Sequence, residues 1–190
     1  MTVDAVLTAV SQVLIEHGYE NATTTRVAER AGVSIGSLYQ YFPNKESLVA
    51  TLIERHADEI VAIVDRALSA PAVTSIPTGV RAVIEAAFAA HRLDPRLHKI
   101  LHEQIPRVGR MGKAMDTNRR LVERVEAFLV KHKRELRKDL QPSVAAIVVV
   151  TTADAIGHKA ILEPSSGFTM KAATAQAIDL LVPYLVGEPA

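Results

Sequence analysis

Apolar residues along this 190-residue chain recur almost throughout at intervals of three and four, the spacing that lines one face of a helix. Val6, Ala9, Val10, Val13 and Leu14 form the first stripe and predict a helix over about 3–17, ended by Gly18. Val27, Ala28 and Ala31 form a short second stripe, and Leu38 and Phe42, four apart, a third. After Asn44 the pattern runs to about residue 70 through Leu48, Leu52, Ile60, Ile63, Val64 and Ala67, with no internal glycine or proline. Further helices are predicted over about 78–92, 95–105, 113–138, 142–163 and 169–186. Between them stand the proline-bounded loop 71–77, the helix start Asp94-Pro95, the breakers Pro106, Gly109 and Gly112, the pair Gln141-Pro142, and a turn over 164–167. No strand-like alternation and no internal repeat occurs, so the prediction is an all-α fold of about nine helices.

Composition supports this. Hydrophobic residues make up 48% of the chain and aromatic ones 4%, a balance that favours packed helices over a β-sandwich. The absence of cysteine excludes a disulfide framework and a cysteine-ligated zinc site. The longest apolar run, Val144 to Val150, is far shorter than the roughly 20 residues that span a bilayer, and no signal peptide pattern is visible. The sequence therefore reads as soluble and cytoplasmic, with no membrane contact.

The second and third stripes carry the most specific pattern. Thr23 or Thr24 suits the cap of a helix, Gly32 suits the left-handed residue that ends it, and Ser34 suits the cap of the next. Leu38 and Phe42 dock that next helix, which leaves Ile35, Gly36, Ser37, Tyr39, Gln40 and Tyr41 for solvent or DNA. This is the layout of a helix-turn-helix with its second helix in the major groove. Gly36 lets backbone approach a duplex, and the hydroxyls of Ser37, Tyr39 and Tyr41 suit phosphate oxygens. Gln40 can pair with adenine, and Ile35 can touch a thymine methyl. Asn44 caps the following helix and places Lys45 at an N-terminus that attracts phosphate. An ordinary helical hairpin whose tyrosines cover the core edge would share the same spacing.

The residues from Val13 to Leu48 go further. The portions Thr-Thr, Val-Ala-Glu-Arg-Ala-Gly-Val-Ser, Gly-Ser-Leu-Tyr, Tyr-Phe and Lys-Glu-Ser-Leu closely resemble the TetR/AcrR family of transcriptional regulators over roughly the first quarter of the chain. The resemblance implies a three-helix DNA-binding domain over 1–46 and an effector-binding and dimerisation domain over 47–190. It also implies a regulator, most simply a repressor, that binds double-stranded operator DNA as a homodimer and is released by a small-molecule effector. The expected DNA-contacting residues are Thr24, Thr25, Arg26, Ser34, Ile35, Gly36, Ser37, Tyr39, Gln40, Tyr41 and Lys45.

Charge is distributed against expectation for such a protein. Residues 1–50 hold three basic and five acidic side chains, net −2, whereas a DNA-binding module is ordinarily basic. Residues 92–138 hold fourteen basic and six acidic side chains, net +8. Solvated helix faces explain this segment most simply; an anionic effector or a supplementary DNA contact is the functional alternative.

The remaining candidates lie in the second domain. Val144 to Val150 is apolar all round and demands burial, either in the chain's own core or against a second copy. The helices over about 142–163 and 169–186 are accordingly the expected homodimer contact. Thr151, Asp154 and His158 share one stripe, read as an internally satisfied pair, a polar wall of an effector pocket, or a polar seam between subunits. Phe88, Met111, Met115 and Phe128 suit an apolar cavity or simple core filling. His98 and His102 lie four apart with His91 nearby, a spacing that fits zinc, but no third ligand is evident and partly exposed histidines are the simpler reading. The expected effector pocket is Phe88, His91, His102, Met111, Met115, Phe128, Thr151, Asp154 and His158, with no metal and no cofactor. No Ser/His/Asp order, separated carboxylate pair or phosphate-binding glycine loop supports an enzyme.

Overall fold

Side-chain hydroxyls and glycines set several of the helix boundaries in the computed structural model, which describes residues 3–93, 95–104, 111–162 and 168–187, without the side chains of 90–93 and 111–115. Among the described residues there are nine helices and no strand: α1 (Val3–Asn21), α2 (Thr24–Ala31), α3 (Ile35–Tyr41), α4 (Lys45–Leu68), α5 (Ile76–Leu93), α6 (Pro95–Gln104), α7 (Met111–Lys131), α8 (Pro142–Leu162) and α9 (Met170–Val186). The all-α fold is as the periodicity indicates. Gly18 leaves helical geometry at φ 70°, ψ 171°, and one further turn follows before α2.

The chain forms two compact units, Met1–Asp58 with Asp94–Ala114, and Glu59–Leu93 with Met115–Ala190. This grouping differs from a cut at 46/47, because the first unit includes the start of α4 beyond that point and all of α6. The core of the first unit joins Val6, Val10, Val13 and Leu14 of α1 to Val27 and Ala28 of α2, Leu38 of α3 and Leu48 and Leu52 of α4. Leu101 of α6 is buried in the same cluster, with Leu97 and Ile100 packed against it.

The second unit is built on α5, α8 and α9, with α7 contributing Val125, Phe128 and Leu129. Two boundaries here differ from the sequence reading. Helix α5 begins at Ile76 rather than 78: Ser75 and Thr78 cap it through the bond from the Ser75 N–H to Thr78 Oγ1 (3.0 Å), and Pro77 sits in the first turn, where no helix bond needs its N–H. Helix α7 stops at Lys131 instead of continuing to 138. Residues 132–139 turn so that Leu136 is buried, Glu135 Oε2 accepts the Ile76 N–H (2.8 Å), and the Arg137 N–H donates to Leu185 O (2.8 Å).

Helix α8 is long and apolar enough, by length and composition alone, to cross a membrane, although its longest unbroken apolar run is short. It packs on α9 and α5 through Ala145, Ala146, Val149, Gly157 and Ala160. The expectation that it is buried on every side does not hold for the single chain. Val144 and Ile147 are about half exposed, and Thr151 on the same stripe is exposed as well. Helix α9 runs through Pro183 to Val186 and is capped by the Gly187 N–H on Pro183 O (2.8 Å).

Candidate nucleic-acid interface and ligand cavity

Helices of eight and seven residues are too short to persist alone, so capping and docking must hold α2 and α3. Thr23 caps α2 by accepting the Arg26 N–H (3.3 Å). Gly32 ends it at φ 67°, ψ 34°, and the Val33 N–H donates to Ala28 O (3.0 Å), completing the turn. Ser34 then caps α3 by accepting the Ser37 N–H (3.0 Å). Leu38, with no exposed surface, and Phe42 press α3 onto the first unit.

That docking leaves Ile35, Gly36, Tyr39, Gln40 and Tyr41 exposed and Ser37 half-buried. Tyr39 is 49% and Tyr41 57% accessible, so neither tyrosine covers the core edge. The Tyr39 and Thr24 hydroxyls lie 3.0 Å apart and orient each other across the two helices. Thr25 and Arg26 are exposed at the start of α2, with Arg26 Nη1 3.2 Å from His17 Nε2. A Cβ built on Gly36 would meet no atom within 4 Å, and its backbone is not left-handed. Nothing inside the chain requires glycine there.

Cations near this face are less available than the sequence suggests. Arg30 is clamped on both oxygens of Glu16, which holds that carboxyl below the usual range and raises the guanidinium. Lys45 was expected to await a phosphate. Its Nζ also donates to Tyr19 O (3.0 Å) and lies 4.2 Å from the centre of the Tyr19 ring. Asn44 does cap α4, accepting the Ser47 N–H (2.8 Å).

In the second unit a cavity of about 80 Å³, measured as space open to water centres, lies between α4, α5, α7, α8 and α9. Ile60, Val64 and Leu68 of α4 line it, as do Phe88, Phe128 and Asp154. Two glycines shape its walls. A Cβ on Gly79 would collide with the Phe128 ring, and one on Gly157 would lie 3.0 Å from Phe88 Cε1, so each ring rests where a side chain is missing. Of the pocket candidates from sequence, Thr151 points to solvent and His102 belongs to the first unit. The side chains of His91, Met111 and Met115 lie outside the described residues. His158 does not line the cavity but holds Asp154 one turn away, Nδ1 to Oδ1 3.1 Å. Burial pulls the His158 pKa down, yet the hydrogen bond and charge of Asp154 together raise it above the ordinary histidine value.

The resemblance places the effector site among the helices from about 48 to 162, which includes α4, but Ile60, Val64, Leu68 and the two glycines were not singled out for it from sequence. The available signal was a glycine within each apolar helical stripe, which marks a close approach. His98 is buried beside His56 (Nδ1 to Nε2 3.2 Å) and stacks on His102. Among the described residues no group of three or more histidine or carboxylate side chains is arranged to hold a metal.

Comparison with known proteins decides the family. Residues 6–52 match the bacterial regulatory proteins of the tetR family, and residues 75–185 match the tetracyclin repressor-like C-terminal domain. The chain belongs to the TetR family. Among curated relatives, the transcriptional activator FasR of Mycolicibacterium smegmatis is 35% identical over 97 residues, 51% of this chain and 43% of FasR. The transcriptional repressor KstR of the same organism is 40% identical over 62 residues, 33% of this chain and 30% of KstR. The matched stretches thus span less than half the length of these relatives. The solved structure of SmeT, repressor of the Stenotrophomonas maltophilia multidrug efflux pump SmeDEF, is similar across 98% of this chain and 91% of that one, at 26% identity and a TM-score of 0.77. SmeT has also been solved as a complex with triclosan.

Proposed function

We propose that this TetR-family protein is a cytoplasmic, ligand-responsive transcriptional repressor that binds a pseudo-palindromic operator as a homodimer. The observation that carries the reading is the outer row of α3. A helix docked by Leu38 and Phe42 presents Ile35, Tyr39 and Gln40 outward around a glycine that the fold itself does not need. Bare backbone at Gly36 serves a surface outside the protein, and a duplex is the surface a helix-turn-helix meets. One seven-residue helix reads few bases, so two copies on successive major grooves supply the specificity. The exposed row Val144 and Ile147 on α8, with Leu180 on α9, supplies the contact between copies.

The cavity is the effector site in this reading. One helix, α4, carries Ile60, Val64 and Leu68 at the cavity and Leu48 and Leu52 in the core of the reading unit. An occupant that binds more tightly when the two α3 helices are wrongly spaced for the half-sites releases the protein from DNA.

A gel shift with DNA flanking the protein's own gene tests operator binding. In that assay Tyr39→Phe is expected to weaken binding by about 0.5–1.5 kcal/mol without lowering the melting temperature of the protein. Gln40→Ala is expected to cost about 1–3 kcal/mol of discrimination at a single base pair. Unchanged affinity in the first variant would remove Tyr39 from the contact. Because Arg30 and Lys45 are engaged within the protein, few phosphates are neutralised by side chains. The salt dependence should therefore be shallow, and a slope equivalent to roughly eight or more released ions would contradict this.

The acidic balance of residues 1–50 favours a second reading, a ligand-binding protein that does not bind an operator. No shift with any fragment of its own flanking DNA, while small molecules still bind, would select it.

A further inference from the structure

Resting on the cavity as effector site, we infer that its occupant has an apolar body and a cationic or hydrogen-bond-donating end received by Asp154, and that free carboxylic acids are disfavoured. Asp154 carries the one charge among the described side chains that line the space, and the rest of the wall is aliphatic, aromatic or glycine. Its side chain is 63% exposed while also lining the cavity, which places the carboxylate where the cavity meets solvent. A ligand therefore inserts its apolar part and leaves its polar end beside Asp154. His158 Nδ1 engages one oxygen, and a carboxylate offers about four acceptor sites, so capacity for another donor remains.

Among the described lining residues an anionic ligand finds no counterpart. Among the described cations of the basic segment, Arg119 pairs with Asp116 and Glu123, Arg124 with Asp65 (2.9 Å), and Arg137 with Asp139. None lines the cavity. The described part of the basic segment therefore offers this space no counter-charge for an anionic effector. Its size is modest too. One water needs roughly 10–15 Å³ by the same measure, so the space takes several heavy atoms and a longer chain must extend through the mouth.

The test is calorimetric titration with three probes that differ only at the head: n-octylamine, 1-octanol and sodium octanoate, at about pH 8.5, above the usual histidine range. The expected order is octylamine, then octanol, then octanoate, with amine and carboxylate separated by about fivefold or more, as for a solvent-accessible charge acting with opposite sign on the two. Asp154→Asn, an exposed change that leaves the fold intact, is expected to bring the amine and the carboxylate to within about twofold of each other. Ala153→Phe, which fills the lining, is expected to weaken all three. Octanoate binding as tightly as octylamine, an unchanged order in Asp154→Asn, or unchanged octylamine binding in Ala153→Phe each overturns the inference. Failure of all three probes to bind overturns the cavity reading as well, which separates the two outcomes.

Discussion

Leu38→Ala is expected to cost about 2–5 kcal/mol of unfolding free energy and to abolish operator binding at concentrations where the parent protein saturates. The side chain has no exposed surface, and it is the buried anchor within α3 itself. A seven-residue helix has no stability of its own, so removing its anchor leaves the Ser34 cap and Phe42 to hold it against conformational entropy. The cavity left behind adds to the lost transfer energy, because α1 and α2 are already packed to each other and cannot close around it. Urea unfolding followed by circular dichroism measures the loss, and a gel shift measures the second effect. A change below about 1 kcal/mol would show that α3 is held by contacts other than Leu38.

If α8 supplies the proposed subunit contact, Ile147→Glu is expected to leave the protein monomeric and to reduce operator affinity severely. Ile147 is about half exposed in the single chain and faces away from the α8 surface that packs on α9 and α5, so the substitution leaves the fold of each copy intact. In the proposed homodimer the new carboxylates would meet near their own copies across the two-fold axis, where juxtaposed like charges cost several kcal/mol. Each monomer then reads one half-site, and the advantage of holding two together is lost. Light scattering coupled to size exclusion reports the mass. A variant that remains dimeric would move the subunit contact away from this stripe of α8.

What the sequence made legible follows from range. The caps at Thr23, Ser34 and Asn44 and the left-handed Gly32 act over two to four residues, and each stands in the structure where its chemistry asks. The exposed row on α3 was legible for the same reason, since Leu38 and Phe42 define the opposite face. Long-range partners were not. Periodicity shows that α6 has an apolar face but not that Leu101 enters the first core rather than the second. Nor does it show that Leu136, five residues past the end of α7, is drawn inward. The apolar run on α8 predicted burial without saying which side the chain itself provides. At Lys45 the structure adds a partner 26 residues earlier, which no window along the sequence contains.

That partner has a mechanical consequence. The Lys45 ammonium ties the first turn of α4 to the carbonyl near the end of α1, the Tyr19 ring lies beneath it, and Leu48 and Leu52 continue into the same core. Pulling on the beginning of α4 therefore cannot slide it past its neighbours. In the proposed regulator the three small helices then swing with it as one block, and a displacement would arrive at the duplex as a change in the angle of the reading head.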